Sequence, residues 1–383
     1  MKVSRPGGPL GTGTYWADIR TRGGRKRVAS AEEVVSVQWE RTADDTSQAT
    51  VVLPVRKLST RCQNALADAY AWVHEVRIFR DDEPVWEGPL YQPQWSSDTV
   101  TLPCRDLSAW LDRRVVHGDY NHTGVAYDLS RHAEEMIRDA FGPDDPGVLE
   151  HLVSYPSGVY GTWAVVANTA QASNELHNFA EAGLDWTVVG RRIILFGPAS
   201  PLGQTRQLNE GDFKTDALTI TQDGSVACTR ALVVSQDLDQ DEDTGQIVAG
   251  STPSLVVRGQ YGSAAPDPQI GLHEIVITDD SQVPPGVESA TLTAQAEVRG
   301  ANPIPLYIGV ESGAPLAECA PVGIAELVPG MLVPVSSQNT PRSVLSTMQL
   351  VSVQGEWSES VGGEQITVNL ATRGGVPNGA GAA

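Results

Sequence analysis

The chain has 383 residues, 40% of them hydrophobic, which is too long for one typical domain and enough to bury the cores of two to four. Its 27 basic and 47 acidic side chains leave a formal net charge of −20, which excludes a nucleic-acid reader that must neutralise phosphates with Lys and Arg. With Gly 37 and Pro 25, many turns and short strands are expected in preference to long helices.

Residues 1–13 are rich in Gly and Pro without periodicity, and read as an extended N-terminal arm, disordered or laid on a neighbour. No apolar stretch follows the basic residues there, so no secretion segment is expected. Runs such as Trp163–Ala167 and Ile193–Phe196 fall short of the ~18 residues a membrane span needs. Residues 14–29 read as a hairpin turning at Gly23-Gly24, with Arg20, Arg22, Arg25, Lys26 and Arg27 as a solvated tip or a subunit contact. Val35, Val37 and Trp39 then alternate with polar residues, Asp44–Ser47 is turn chemistry, and Ala49, Val51 and Leu53 resume the inward face. A short helix is expected around 59–70, and further strands at Val76–Ile78, Val85–Tyr91 and Val100–Leu102. Residues 14–104 thus read as a first β-barrel-like domain.

Residues 105–200 change to an α+β module. Arg105–Arg114 is amphipathic, with Leu107, Trp110 and Leu111 on one face; Val125, Leu129, Met136, Ile137 and Ala140 recur at helical spacing up to Gly142-Pro143. A second helix is expected near 170–182, capped by Gly183, then a hairpin of Asp185–Val189 and Arg192–Phe196. Residues 201–372 return to strands and read as a second β-barrel-like domain. Strands are expected at 218–221, 228–235, 247–257, 304–310, 332–335, 345–353 and 365–370, with an acidic loop at 237–243 and a helix at 287–299. Residues 373–383 form a Gly/Ala-rich tail expected to be flexible. The acidity is uneven. Residues 1–200 hold 20 basic and 26 acidic side chains, residues 201–383 only 7 and 21.

Asp239, Asp241 and Asp243 offer oxygen ligands at alternate positions as a calcium loop does, but Thr244 stands where its glycine belongs and Gly250 where its bidentate Glu belongs. An acidic hairpin loop is the better reading. The seven histidines (His74, His117, His122, His132, His151, His177, His273) contain no HExxH. His117 and His122 lie in a segment of weak helical character, and His132, beside Glu134 and Glu135, reads as the wet side of a helix. Gly224-Ser225 and Gly262-Ser263 lack the second glycine of a nucleophile elbow, and Gly11-Thr12-Gly13 lacks the context of a phosphate loop. Cys62, Cys104, Cys228 and Cys319 are scattered without CxxC and read as reduced, mostly buried thiols. The nine tryptophans could suggest a sugar-stacking platform, yet most sit in patterned segments and read as core. No catalytic, cofactor-binding or metal-ligating residue is expected, and no cofactor.

Several passages in order resemble the tail-tip hub proteins of siphophages, the minor tail proteins of actinobacterial phages, related in fold to the baseplate hubs of contractile tails. These are Val37-Gln-Trp-Glu-Arg41 with Asp44-Asp-Thr-Ser47; Val85-Trp-Glu-Gly-Pro-Leu90; Leu102 to Asp112; Asn174 to Trp186 with the hairpin ending at Phe196; and Leu327-Val-Pro-Gly330 before a strand pair finishing at Leu370. The resemblance spans roughly residues 30–372 and carries no catalytic signature. It implies a mainly β, baseplate-hub-like fold in which two β-barrel-like domains line a ring and flank the α+β module. It implies a homotrimer that closes the distal end of the tail tube, adapts sixfold to threefold symmetry and lines a DNA exit channel. The acidic second half suits a wall that passes DNA without holding it. Implied partners are a distal tail protein or tube ring above, the C-terminus of a tape measure protein, and other minor tail proteins or fibres below. The implied place is the virion tail tip, assembled in the host cytoplasm. Many larger relatives continue into a wall hydrolase or receptor-binding domain, whereas this sequence runs into its Gly/Ala tail, so neither activity is expected of it. The competing reading is a virion-surface glycan-binding adhesin using exposed tryptophans; a hydrolase with a non-standard motif is the third.

Overall fold

Alternation places Val37 and Trp39 on the buried face of strand Ser36–Thr42, and Ala49, Val51 and Leu53 on that of its antiparallel partner Gln48–Pro54. The computed structural model, which describes residues 9–222, 224–237, 254–279, 287–301, 306–337, 343–360 and 363–372, extends this pair into a nine-stranded sheet. On one side Gln48–Pro54 pairs with Thr99–Arg105. On the other, Ser36–Thr42 pairs with the 15-residue strand Val344–Ser358, which also pairs with Leu332–Ser337 and Gly363–Thr372. Gly355 sits opposite Trp39, and a Cβ there would lie 2.3 Å from the indole, so this position must be glycine for the ring to lie across the strand.

A second, four-stranded sheet runs Arg27–Ala31, Tyr15–Thr21, His74–Arg80, Glu83–Pro89, all antiparallel. Its Asp81-Asp82 turn has both residues at positive φ (45° and 68°), the backbone of a tight hairpin. Helix α1, Thr60–Ala67, starts at Ser59, whose Oγ accepts from the Cys62 N–H. Residues 9–13 lie on the chain's own body, with Leu10 buried.

The α+β module has one core. Leu107, Trp110 and Leu111 of a 3₁₀ segment (Leu107–Arg113) meet Leu129, Met136, Ile137 and Phe141 of α2 (Leu129–Phe141), Leu176 and Phe179 of α3 (Ala172–Glu181), and Trp186 of the hairpin Asp185–Val189/Arg192–Phe196. Val125 departs from expectation. It lies exposed in strand Tyr120–Asp128, paired with Tyr160–Val165, because Asp128 caps the helix and starts it only at Leu129. His122 sits in that strand too, not in a helical segment.

Compact units divide the chain at 219/220 and 308/309: residues 1–219 with 309–383 form one, residues 220–308 the other. Strand periodicity by itself groups 201–372 together, since the pairing of Ser36–Thr42 with Val344–Ser358 joins strands about 310 residues apart and leaves no local trace. In the second unit, Arg230–Asp237 is flanked by Ser254–Gly262 (antiparallel) and Glu274–Asp279 (parallel), and α4 (Val287–Ala301) covers one face through Ala290, Ala294 and Val298 on Cys228, Ala231 and Val233. Asp237, expected to open the acidic loop, ends the strand Arg230–Asp237, and positions 238–253, which hold the rest of that loop and the first part of the strand expected at 247–257, lie outside the described residues. The architecture is mainly β, with several sheets and an α+β module following the first β segment. Among the described residues no helix is long and apolar enough to cross a membrane.

Candidate functional site

Charged side chains are buried at several places in the larger unit, among them three that anchor remote segments. Glu364 of strand Gly363–Thr372 accepts from Arg80 Nε (2.6 Å) and Nη2 (2.8 Å), from Tyr15 Oη (2.5 Å), and from the backbone N–H of Gly11 (2.8 Å) and Gly13 (3.4 Å). A Cβ at Gly13 would lie 2.3 Å from the Arg80 guanidinium, so glycine lets the arm close over it. Burial and the neighbouring Glu364 carboxylate push the Tyr15 hydroxyl far up, so it stays protonated and donates. Five donors on one carboxylate tie the arm and the four-stranded sheet to the C-terminal hairpin.

Arg41 is the second. It donates to the carbonyls of Val85, Ile324 and Leu327, and burial lowers its guanidinium to about 10. The third is Arg191, whose Nη1 lies 2.5 Å from Glu75 Oε2 and 3.0 Å from Glu87 Oε1, while Arg77 Nε donates to Glu87 Oε2 at 2.5 Å. Arg41, Arg77, Glu87 and Arg191 line a cleft of about 520 Å³ with Trp86 and His151. No Ser, Thr or Cys lines it, and these four charges are already engaged inside the chain. Chemically the arrangement fixes segments; it presents no nucleophile beside a base.

The Asp44 turn joins the large sheet to the module. Asp44 Oδ1 accepts from Trp186 N (2.8 Å), and Thr187 Oγ1 donates to the Thr42 carbonyl (2.9 Å). Burial raises the Asp44 carboxyl to about 7. Asp106, buried under donors from Ser47 and Ser108, is raised by burial to about 6. The two serine hydroxyls on Asp106 are themselves buried, so this cluster is closed to solvent.

Of the residues singled out from the sequence, His122 and His132 come together with Glu135, and the others do not converge among the described residues. Asp239, Asp241, Asp243, Thr244 and Gly250 lie outside the described residues. Ser263 Oγ accepts from Ala265 N in a turn, and Gly262 is required where a Cβ would lie 2.1 Å from the Thr229 carbonyl oxygen. Cys62, Cys104 and Cys228 are buried, and Cys319 is exposed. Trp39, Trp86, Trp110, Trp163 and Trp186 are buried, Trp16 stacks on Phe79 at 3.9 Å, and Trp95 is exposed with its N–H donated to Leu66. No stacking platform is gathered among the described residues. His74 accepts from Tyr70 N, His151 lies by Glu150, His177 by Ser173, His273 by Ile270 and His117 by Asn168.

His132 corrects the sequence reading. It is 1% exposed, packed among His122, Tyr127, Trp163 and Phe179, not on the wet side of α2. Its spacing did carry the signal: position 132 falls on the stripe of Leu129, Ala133, Met136 and Ile137, and the adjacent glutamates masked it. Burial lowers its pKa and keeps the ring neutral.

One apolar surface is left open in the smaller unit. The sheet face away from α4 exposes Leu255 (64%), Val257 (51%) and Val276 (60%).

No family model matches the chain, and no curated protein is similar to it. Among solved structures it is similar to the 43 kDa tail protein of prophage MuSo2 from Shewanella oneidensis, at 13% identity and a TM-score of 0.50, over 93% of this chain and 98% of that one. The fold is shared with that tail protein. Lower-scoring similarities are to the tail protein from Neisseria meningitidis (12% identity, TM-score 0.47, 95% and 98% covered) and to the E. coli c3393 protein (10%, 0.44, 91% and 75%). The latter is a type VI secretion component with structural similarity to T4 tail proteins gp27 and gp5.

Proposed function

We propose that the chain is a structural hub subunit of a phage tail tip. Three copies form a ring that closes the distal end of the tail tube, adapts sixfold to threefold symmetry and lines the DNA exit channel. The observation that carries this reading is the likeness to the MuSo2 tail protein, which runs over nearly the whole length of both chains and so concerns the complete architecture. Two physical features agree with it. The ionic groups of the main cleft are spent on holding segments together. The net charge of −20 suits a wall past which DNA must slide, since basic walls would retain phosphates. The partners proposed are the tube ring or distal tail protein above, the tape measure C-terminus, and other minor tail proteins or fibres below, all at the virion tail tip after assembly in the host cytoplasm.

Light scattering on the purified chain tests the self-association. Three times the monomer mass is expected; a monomer that binds saccharides would instead make it an adhesin. Labelled antibody should mark one end of the tail on intact virions, and label on the capsid or along the shaft would end the hub reading.

A further inference from the structure

His132 of α2 lies with Nε2 3.2 Å from the Gly161 carbonyl oxygen. In a neutral imidazole that nitrogen carries the hydrogen and donates it, which leaves Nδ1 as a bare lone pair. Nδ1 is buried and has no hydrogen-bond partner. Trp163, one of the surrounding rings, is not its donor, for that N–H is committed to Glu175 Oε2 at 2.8 Å. Beside it are His122 of strand Tyr120–Asp128 and Glu135, three residues on along α2 and so on an adjoining part of the helix face. His122 Nε2 and Glu135 Oε2 are 3.6 Å apart. One ligand atom from each of the three residues lies within 4.8 Å of the others, the one such group among the described residues.

An ordinary core histidine and a surface ion pair would account for the His132–Gly161 and His122–Glu135 contacts separately. They would leave the Nδ1 lone pair unexplained, and a core filler there would be better served by an aromatic hydrocarbon. We propose that His122, His132 and Glu135 bind a divalent transition-metal ion of the zinc class, clipping the ribbon Tyr120–Asp128/Tyr160–Val165 to α2. Two imidazoles and one carboxylate are the donor set such ions select, whereas calcium and magnesium seek an all-oxygen shell. Bonds of about 2.0–2.2 Å place tetrahedral ligands roughly 3.3 Å apart, so the His122–Glu135 separation is already close and small side-chain rotations bring in the third donor. The Nε2–H bond to the Gly161 carbonyl is the outer-shell contact that orients a metal-binding histidine. His122 and Glu135 are partly exposed, so water completes the fourth position.

The test is titration of the full, tag-free chain with Zn²⁺ by calorimetry, and with Co²⁺ by its visible absorption. One equivalent should bind, with a rise in melting temperature on adding Zn²⁺. His122→Ala and Glu135→Gln, both at partly exposed positions, should each weaken binding at least tenfold, while His117→Ala leaves it unchanged. His132→Phe keeps the core filled and should abolish binding without loss of fold. Absence of saturable binding at micromolar Zn²⁺, or equal affinity in His122→Ala, would overturn the site.

Discussion

The larger unit, residues 1–219 with 309–383, buries Glu364 under five donors, Arg41 under three carbonyls and Glu75 against Arg191. The smaller unit, residues 220–308, buries no charged side chain among its described residues and rests on Cys228, Ala231, Val233, Ala290, Ala294 and Val298. The contrast follows from what each must specify. The larger unit brings together segments far apart in sequence, and a buried ion pair penalises every wrong pairing. The smaller unit is a local sheet under one helix, where small side chains permit close approach but bury little apolar area, and its second face stays open.

The sharpest way to break this comparison is Glu364→Ala, which leaves the buried Arg80 guanidinium with only Asp81 and the Pro9 carbonyl as partners. A loss of about 3–5 kcal/mol is expected in urea unfolding, and Glu364→Ala with Arg80→Met should cost less than the single change. A wild-type midpoint for the single variant would show that the ionic staple does not hold the large unit.

Gly259→Ala probes the smaller unit, because the new Cβ would lie 2.5 Å from backbone atoms of Ala290 and Thr291 in α4. About 1–3 kcal/mol of local destabilisation is expected. Amide exchange should accelerate in 287–301 and stay unchanged in 129–141; equal acceleration in both would mean the units do not differ in this way.

The buried carboxyls give the large unit a pH signature. Asp44 is raised by burial to about 7 from an ordinary value near 3.8, so the folded state holds its proton more tightly than the unfolded chain. Its contribution is present below that ordinary value and is lost as pH rises toward 7. Asp44→Asn should flatten this fall and stabilise the chain by ~1–2 kcal/mol at pH 8, read from melting across pH 4–8. Asp144 has the opposite sign. Hydrogen bonds from Arg22 and Arg114 lower it to about 2, so its contribution is lost as pH falls from 3.8 toward 2.

The smallest effect on folding is expected from Leu255→Lys and Val257→Lys on the open face of the smaller unit. Stability should change by no more than ~0.5 kcal/mol, while self-association in light scattering weakens. Unchanged association would show that this face takes no part in the proposed self-association.

Much of the local structure was legible. Val37, Trp39, Ala49, Val51 and Leu53 alternate as strands require, and the hairpin at 185–196 and helix α4 fall where periodicity places them. Val125 was misread because its helical spacing continues past the Asp128 cap, a boundary that a hydrogen bond sets and periodicity does not. Glu364 stands just before the alternating run 365–370, and nothing within its own strand announces Arg80.

What the sequence determined by itself is which residues face inward within each short element, since side-chain direction repeats every 2 or 3.6 residues and needs no distant partner. It also settled the acidic balance that sets the long-range field. Only the tertiary structure decided that Ser36–Thr42 lies beside Val344–Ser358, that Glu364 closes on Arg80 across 284 residues, and that His132 is buried beside His122 and Glu135. Pairings of this kind depend on which surfaces of remote segments fit and exclude water together. That free energy exists only once the chain is folded, so no local window of residues contains it.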